Sequence, residues 1–87
     1  MIDYISGHIA ELSPTRVVID NHGIGYSMEI SLQTFAELEG KEDAKLFIHH
    51  HLQNNSDVEL YYGFSNRDER SLFQTIIGAS GDGVNSA

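Results

Sequence analysis

The stretch Ile24-Gly25-Tyr26-Ser27-Met28-Glu29-Ile30 decides the fold, because large apolar residues alternate along it with small or polar ones. This period of two is typical of a β-strand that buries one of its faces. We therefore predict a strand over residues 24–30. Its buried face is predicted to carry Ile24, Tyr26, Met28 and Ile30.

Four further segments have strand patterns, two before this stretch and two after it. The first has Gly7 as a candidate bulge or bend and carries apolar residues at Ile2, Tyr4, Ile5, Ile9 and Leu12. Residues 17–19 form a short β-branched run. The last two segments alternate again, with predicted buried faces made by Leu46, Ile48, His50 and Leu52 and by Val58, Leu60, Tyr62 and Phe64.

Short polar connections join these segments. Turn chemistry is found at Ser13-Pro14-Thr15, at Asn21-His22-Gly23 and in the polar hairpin Gln53-Asn54-Asn55-Ser56. Between the third and fourth strands, residues 31–38 are predicted to form one or two helical turns capped by Ser31. Five strands with a short helix after the third indicate a mainly β fold, namely a small closed Greek-key barrel of the oligonucleotide-binding type.

A longer helix is predicted after the barrel. Asn66 and Glu69 have the spacing of a capping arrangement, and apolar residues follow at helical spacing at Leu72, Phe73, Ile76 and Ile77. We predict a helix over residues 67–77 that ends near Gly78, with its apolar stripe packed against the barrel or against a neighbouring subunit. The predicted organisation is a barrel over residues 1–64, followed over residues 65–87 by this helix and the start of a degenerate helix-hairpin-helix, whose glycine-rich residues after 78 lack an apolar pattern.

The composition describes one small domain with an acidic surface. The chain has 87 residues, and the absence of cysteine excludes disulfides and thiolate metal sites. No apolar run approaches the roughly 18 residues of a membrane span, and the first residues lack the pattern of a signal peptide. We therefore expect a cytoplasmic protein without membrane contact. The net charge of −8 by itself argues against DNA binding, because cations supply most of the affinity for DNA.

Three segments nevertheless resemble the RuvA family, the junction-recognition subunits of bacterial branch migration. They are Met1-Ile2-x-Tyr4-Ile5-x-Gly7, then Gly23-Ile24-Gly25-Tyr26 followed by Ile30-Ser31-Leu32, and finally Leu60-Tyr61-Tyr62-Gly63-Phe64 followed by Glu69-Arg70-x-Leu72-Phe73. The resemblance implies a homotetramer that recognises four-way Holliday-junction DNA in recombination and repair. It also implies a non-catalytic subunit of an ATP-dependent DNA helicase complex.

The resemblance implies more chain than these residues. Family members carry two helix-hairpin-helix motifs after the barrel and a C-terminal region that engages a RuvB-type ATPase. The sequence is therefore either a piece of a longer protein or a shortened relative.

One candidate DNA contact lies in the first of these hairpins. The family usually reads Gly-Val-Gly-Pro-Lys where this chain reads Gly81-Asp82-Gly83-Val84-Asn85. The resemblance implies that Gly81, Gly83 and Asn85 lie against a DNA phosphate, which amides at a helix start can hold. Asp82 adds an anion there, Val84 replaces a proline that favours helix initiation, and Asn85 replaces a cation. We expect this degenerate hairpin to bind DNA weakly.

A second candidate contact is the loop between the fourth and fifth strands. Family members often show Arg-Glu-Asp there, and the two acids form a pin at the centre of the junction. The matching residues are Asn55, Ser56 and Asp57, so only Asp57 keeps its charge as a remnant of the pin. Plain surface charge is the alternative. A catalytic carboxylate pair of Asp57 and Glu59 would need a cleft and a raised pKa, which nothing in the sequence indicates.

The run His49-His50-His51 raises the question of a metal site. Neighbours on a strand point to opposite faces, so only His49 and His51 could share an ion. We predict solvated histidines, no metal and no cofactor. The sequence shows no nucleophile–base set and no Walker-type loop. The rival to junction recognition is an oligomerisation or protein-interaction barrel that has lost DNA binding, which the acidic charge and the altered hairpin favour.

Overall fold

The computed structural model describes residues 2–52 and 59–85, with the side chains of residues 2–51 and 59–78. Five strands and two helices follow one another along the chain. They are β1 (Tyr4–Ser13), β2 (Arg16–Asn21), β3 (Ile24–Ile30), α1 (Leu32–Leu38), β4 (Asp43–Leu52), β5 (Glu59–Phe64) and α2 (Arg67–Asn85). Within the part of the chain described, no helix is long and apolar enough to cross a membrane.

The strands close into a barrel in the order β1-β2-β3-β5-β4, with β4 pairing back to β1. Every neighbouring pair is antiparallel except β3 and β5, which run parallel. Closure pairs the outer edges of the sheet, which a small chain has little other material to cover. The predicted five-stranded barrel of the oligonucleotide-binding type is therefore confirmed, including the short helix α1 between β3 and β4.

The core lies inside the barrel, where strands from every side bring in one apolar face. Ile24 differs from the prediction, because it is 56% exposed. It is the first residue of β3 after the turn from β2, so it stands at the rim, beyond the packed interior. Leu52 and Val58, also predicted on buried faces, lie outside the described side chains. The buried cluster consists of Ile5, Val17, Ile19, Met28, Leu38, Leu46 and Ile48.

The alternation along β5 is confirmed, and the face predicted to be buried is buried at Phe64, which is 4% exposed, although helix α2 and not the barrel interior covers it. Tyr61 packs against the barrel core, and Gly63 faces the same core. Tyr62 and Phe64 instead lie on the outside, where both rings pack against Phe73 of α2. Both faces of β5 are covered, one by the barrel interior and one by the helix. A period of two cannot tell these faces apart, because each of them is apolar.

Gly7 is not the bulge of β1. The register with β2 shifts further along, between Ile9 and Glu11. Gly7 instead lies where β1 crosses close to β2, and a Cβ atom added there would stand 2.4 Å from the carbonyl oxygen of Asp20 and 2.8 Å from Cγ2 of Ile19. The position therefore excludes any side chain, because a Cβ needs more than 3 Å.

Helix α2 begins as predicted but ends later. The amide of Glu69 donates to Oδ1 of Asn66 at 2.8 Å, which confirms Asn66 as the cap. The helix continues to Asn85, past the predicted end near Gly78. Glycine costs only about 1 kcal/mol in a helix interior, whereas proline blocks the hydrogen bonds. The single proline of the chain is Pro14, so no proline stops α2.

The predicted apolar stripe of α2 is split between two surroundings. Phe73 and Ile77 are partly buried. Leu72 and Ile76 are 61% and 56% exposed, so they do not pack on the barrel of the same chain. One side of the helix therefore docks on the barrel, and the other presents two large apolar side chains to solvent.

Candidate nucleic-acid interface

The residues predicted to form the pin remnant fall in the segment between β4 and β5. Asn55, Ser56 and Asp57 lie outside the described residues. The strands on either side are paired up to their ends, where Leu52 is opposite Glu59. The two ends of the segment are therefore held side by side at one end of the barrel. The roles of the three residues stay predictions.

The residues predicted to form the degenerate hairpin lie on the last turns of α2. Gly81, Gly83 and Asn85 have helical backbone in the structure, and their side chains lie outside the described ones. Contact of this segment with a DNA phosphate stays a prediction. What the structure does define is how the first turns of α2, which lead to this segment, are held on the barrel.

An aromatic cluster forms the apolar part of this docking site. The ring of Phe73 lies 4.9 Å from that of Tyr62, 5.2 Å from that of Phe64 and 5.3 Å from that of His49, measured between ring centroids. Aromatic pairs at such distances stabilise a fold by more than the burial of their surface area alone. Phe73 is thus the central ring by which α2 contacts β4 and β5.

Arg70 forms a polar contact on one side of the cluster. Its Nη1 donates to the carbonyl oxygen and to Oδ1 of Asp3, both at 2.9 Å, and to the carbonyl oxygen of Ile48 at 3.2 Å. The side chain of Arg70 is only 16% exposed. It ties α2 to β4 and to the residues that precede β1, because the amide of Ile48 also donates to the carbonyl of Asp3.

Glu69 forms a polar contact on the other side. Its carboxylate accepts hydrogen bonds from the hydroxyls of Ser31, at 2.5 Å, and Thr34, at 2.8 Å. Ser31 also caps α1, because its Oγ accepts from the amide of Thr34 at 3.1 Å, as predicted. Thr34 is completely buried. The start of α1 and the start of α2 therefore share one hydrogen-bond network.

The cations of the chain are unevenly placed. Three of its five Lys and Arg residues lie around the ring of Phe47, with Lys45 Nζ, Arg67 Cζ and Arg70 Cζ between 5.3 and 5.6 Å from the centroid. Lys45 Nζ also stands 4.2 Å above the ring of Tyr4. Three of the five cations of the chain are therefore grouped around one ring, and one of them, Arg70, is paired with Asp3.

The histidines divide between the two faces of β4, as the alternation predicts. His49 and His51 share the outer face, with ring centroids 6.0 Å apart. His50 stacks on Tyr61 at 4.7 Å, and its Nε2 lies 3.1 Å from Oε1 of Glu59. Among residues 2–52 and 59–85, no group of three or more His, Asp or Glu residues is placed to hold a metal ion. The carboxylate pair of Asp57 and Glu59, which nothing in the sequence indicates, includes Asp57 and so lies outside the described residues.

The comparison with known families adds a direct match. Residues 1–61 match the model of the RuvA N terminal domain, which is 61 of the 87 residues and includes β1 to β4. This chain belongs to the RuvA N-terminal domain family. The resemblance seen in the three sequence segments is thereby confirmed.

Curated relatives agree over the whole chain. A Holliday junction branch migration complex subunit RuvA from Bacteroides fragilis is 46% identical over 87 residues, which are 100% of this chain and 42% of the relative. Proteins of the same name from Bacteroides thetaiotaomicron and Parabacteroides distasonis are 42% and 40% identical over 87 residues, and this chain covers 42% and 43% of them. The chain thus spans about two fifths of the length of these relatives.

Two contacts of this RuvA N-terminal domain were not predicted from sequence. Glu69 was expected as part of a cap and of the family motif, and Arg70 as part of the motif. Their partners Ser31, Thr34 and Asp3 are 38, 35 and 67 residues away. The available signal was the motif itself, because Glu69, Arg70 and Phe73 all belong to it and all three hold α2.

His49 gives the domain a predicted pH dependence. Burial lowers its pKa below the usual value of 6.5, and His51, His50 and Arg70 lower it further. Its Nε2 is buried without a hydrogen-bond partner in the described part of the chain, so the prediction of a solvated histidine is wrong at this position. The unfolded chain therefore binds a proton at His49 more readily than the folded one. We expect the free energy of unfolding to fall as the pH drops below 6.5, and this contribution to be constant well above 6.5.

Urea unfolding between pH 8 and pH 5 measures this contribution. The variant His49→Phe should show a shallower fall than the parent chain over the acidic half of this range. His22→Asn is the matched control, because His22 is exposed and its positive φ of 54° suits asparagine. Equal pH profiles for the parent and His49→Phe would contradict the assignment of this pH dependence to His49.

Proposed function

We propose that this chain is the N-terminal part of a Holliday-junction recognition subunit that acts in branch migration. The observation that carries the proposal is the family match over the barrel. Glu69, Arg70 and Phe73 attach α2 to this barrel. The barrel is then a scaffold, and α2 leads from it to the DNA-binding hairpin. In this proposal, four copies surround the junction, and a RuvB-type ATPase supplies the energy.

The two candidate DNA contacts then have separate roles. Asp57, with Asn55 and Ser56, would stand at the centre of the junction, and its carboxylate would repel phosphates there. The segment from Gly81 to Asn85 would approach a phosphate of a junction arm. Its altered residues make that contact weak, because Asp82 introduces a like charge. At about 5 Å and an effective dielectric near 20, two such charges repel by about 3 kcal/mol before screening.

A gel-shift measurement at low salt tests both parts of the proposal. We expect the 87-residue chain to bind a four-way junction weakly. We expect tighter binding after extension with the sequence that follows the matched segment in the Bacteroides fragilis relative. In the extended chain, Asp82→Val, Val84→Pro and Asn85→Lys together should raise junction affinity about tenfold, which is the gain expected from one added phosphate contact near 50 mM salt.

A charge-matched control separates the local contact from the net charge. Glu37→Gln with Glu39→Gln raises the net charge by the same amount at exposed positions near the end of α1. If this control gains as much affinity as the restored hairpin, the hairpin is not the site. If the extended chain binds a four-way junction no more tightly than duplex DNA, the proposed function is wrong, and the chain has another role, such as oligomerisation.

A further inference from the structure

Helix α2 is held on the barrel by three neighbouring positions that contact three different parts of the fold. Glu69 contacts α1, Arg70 contacts the residue before β1 and the middle of β4, and Phe73 contacts β4 and β5. At about 100° per residue, Glu69 and Arg70 point about 100° apart and Phe73 lies between them, so the three side chains share one face of the helix. Contacts from this face to three parts of the fold restrict both the tilt of the first turns of α2 and their rotation about the helix axis.

Glu69 differs from the other two positions because it places a charge in a partly buried site without an ion-pair partner in the part of the chain that the structure describes. Its carboxylate is partly buried, and among the described residues no Lys, Arg or His nitrogen lies within 4.0 Å of it. Two neutral hydroxyls are its partners. The two hydroxyls and the N-terminal end of α2 offset the hydration that this charge loses, and directional hydrogen bonds can select one arrangement over others.

The direction in which Glu69 reaches is also unusual for its position. A glutamate three residues after the N-cap often bonds back to the amide of the capping residue. Here Asn66 is the cap, and Glu69 turns outward to Ser31 and Thr34 instead. Since Thr34 is completely buried in α1, the carboxylate is anchored to a fixed point of the barrel.

We propose that Glu69 is a positioning residue, which fixes the direction in which α2 leaves the barrel. The consequence for DNA rests on the proposed function, since α2 then aims the hairpin segment at a junction arm. The direction itself is independent of DNA. A tilt of about 20° about Glu69 would move residue 78, about 14 Å further along the helix, by about 5 Å.

Distances between two spin labels measure this direction in the chain itself. The chain has no cysteine, so labels attach only at Ser27→Cys on β3 and Gly78→Cys on α2. Ser27 is exposed, and a Cβ at Gly78 would have no atom within 4 Å. We expect one narrow distance distribution for the doubly labelled parent. Glu69→Ala should broaden or shift it by about 5 Å, while the barrel strands keep their hydrogen-exchange protection.

Three further variants make the test specific. Thr34→Val removes one of the two donors, together with the acceptor that the amide of Ser65 uses at 3.4 Å. It should broaden or shift the distribution as Glu69→Ala does, and it can be measured even if Glu69→Ala fails to fold. Glu69→Gln keeps an acceptor oxygen and should stay closer to the parent. Asp68→Ala removes the same charge from the first turn of α2 at an exposed position, and it should leave the distribution unchanged.

The proposal is overturned by any of three results. These are an unchanged distribution in Glu69→Ala or, if that variant fails to fold, in Thr34→Val; equal broadening in Asp68→Ala; and a Glu69→Gln distribution as broad as that of Glu69→Ala. Failure of junction binding would count against the proposed function alone, because the distances are measured without DNA.

Discussion

Alanine at position 7 is expected to lower the free energy of unfolding of this domain by about 3 kcal/mol, at the upper end of the usual cost of overpacking. The new Cβ would stand 2.4 Å from the carbonyl oxygen of Asp20, which is backbone and belongs to β2. A side chain could rotate away, but this oxygen can move only if β1 and β2 separate. Both neighbours of β1 are affected, since Gly7 is also opposite Ala44 of β4.

Urea unfolding of Gly7→Ala and Gly25→Ala provides the measurement and its control. A Cβ at Gly25 would lie 3.3 Å from Cγ1 of Val18, which is a side-chain atom that can give way. We expect a change below about 1 kcal/mol for Gly25→Ala, where only a mild contact and a strand glycine are involved. Similar midpoints for the two variants would show that the barrel relaxes easily at Gly7.

The sequence predicted those parts of the fold that depend on local patterns. The alternation over residues 24–30 correctly predicted β3, and the caps at Ser31 and Asn66 correctly predicted where both helices start. Each of these features involves residues within a few positions of one another. Hydroxyl and amide caps satisfy amides of the first turn whatever the rest of the chain does.

Structural predictions failed where the outcome depended on contacts between elements that are far apart in the sequence. The sequence did not show that a helix covers the face of β5 that carries Tyr62 and Phe64, because both faces of this strand are apolar. Gly7 was read as a bulge because a lone glycine in a strand is equally typical of a bulge and of a close approach. The register with β2 and the distance to Asp20 distinguish the two.

The candidate site shows the same division. The motif pointed to Glu69, Arg70 and Phe73, but no local pattern shows that Asp3 receives Arg70 or that Thr34 receives Glu69. The end of α2 was missed because three glycines after residue 77 suggested a loop. Without a proline, their combined cost lowers the stability of the helix but does not forbid it.

The second large effect is expected from Phe73→Ala, which removes the central ring of the docking site. Phe73 is only partly buried, so the loss should be about 2–3 kcal/mol, below the range for a fully buried phenylalanine. The loss falls on the docking of α2 more than on the barrel, because the core cluster contains residues of the strands and α1. An undocked helix of 19 residues with several glycines has little stability in water.

Far-UV circular dichroism and amide hydrogen exchange separate these two parts. We expect Phe73→Ala to lose helical signal and the protection of α2 amides, while amides of β2 and β3 remain protected. Leu72→Ala is the matched control, since it shortens an adjacent apolar residue that is 61% exposed. Alanine also has the higher helix propensity, so this control should leave α2 as stable as before or slightly more stable. If both variants lose α2 equally, the helix does not dock through Phe73, and its solvent-facing side holds it instead.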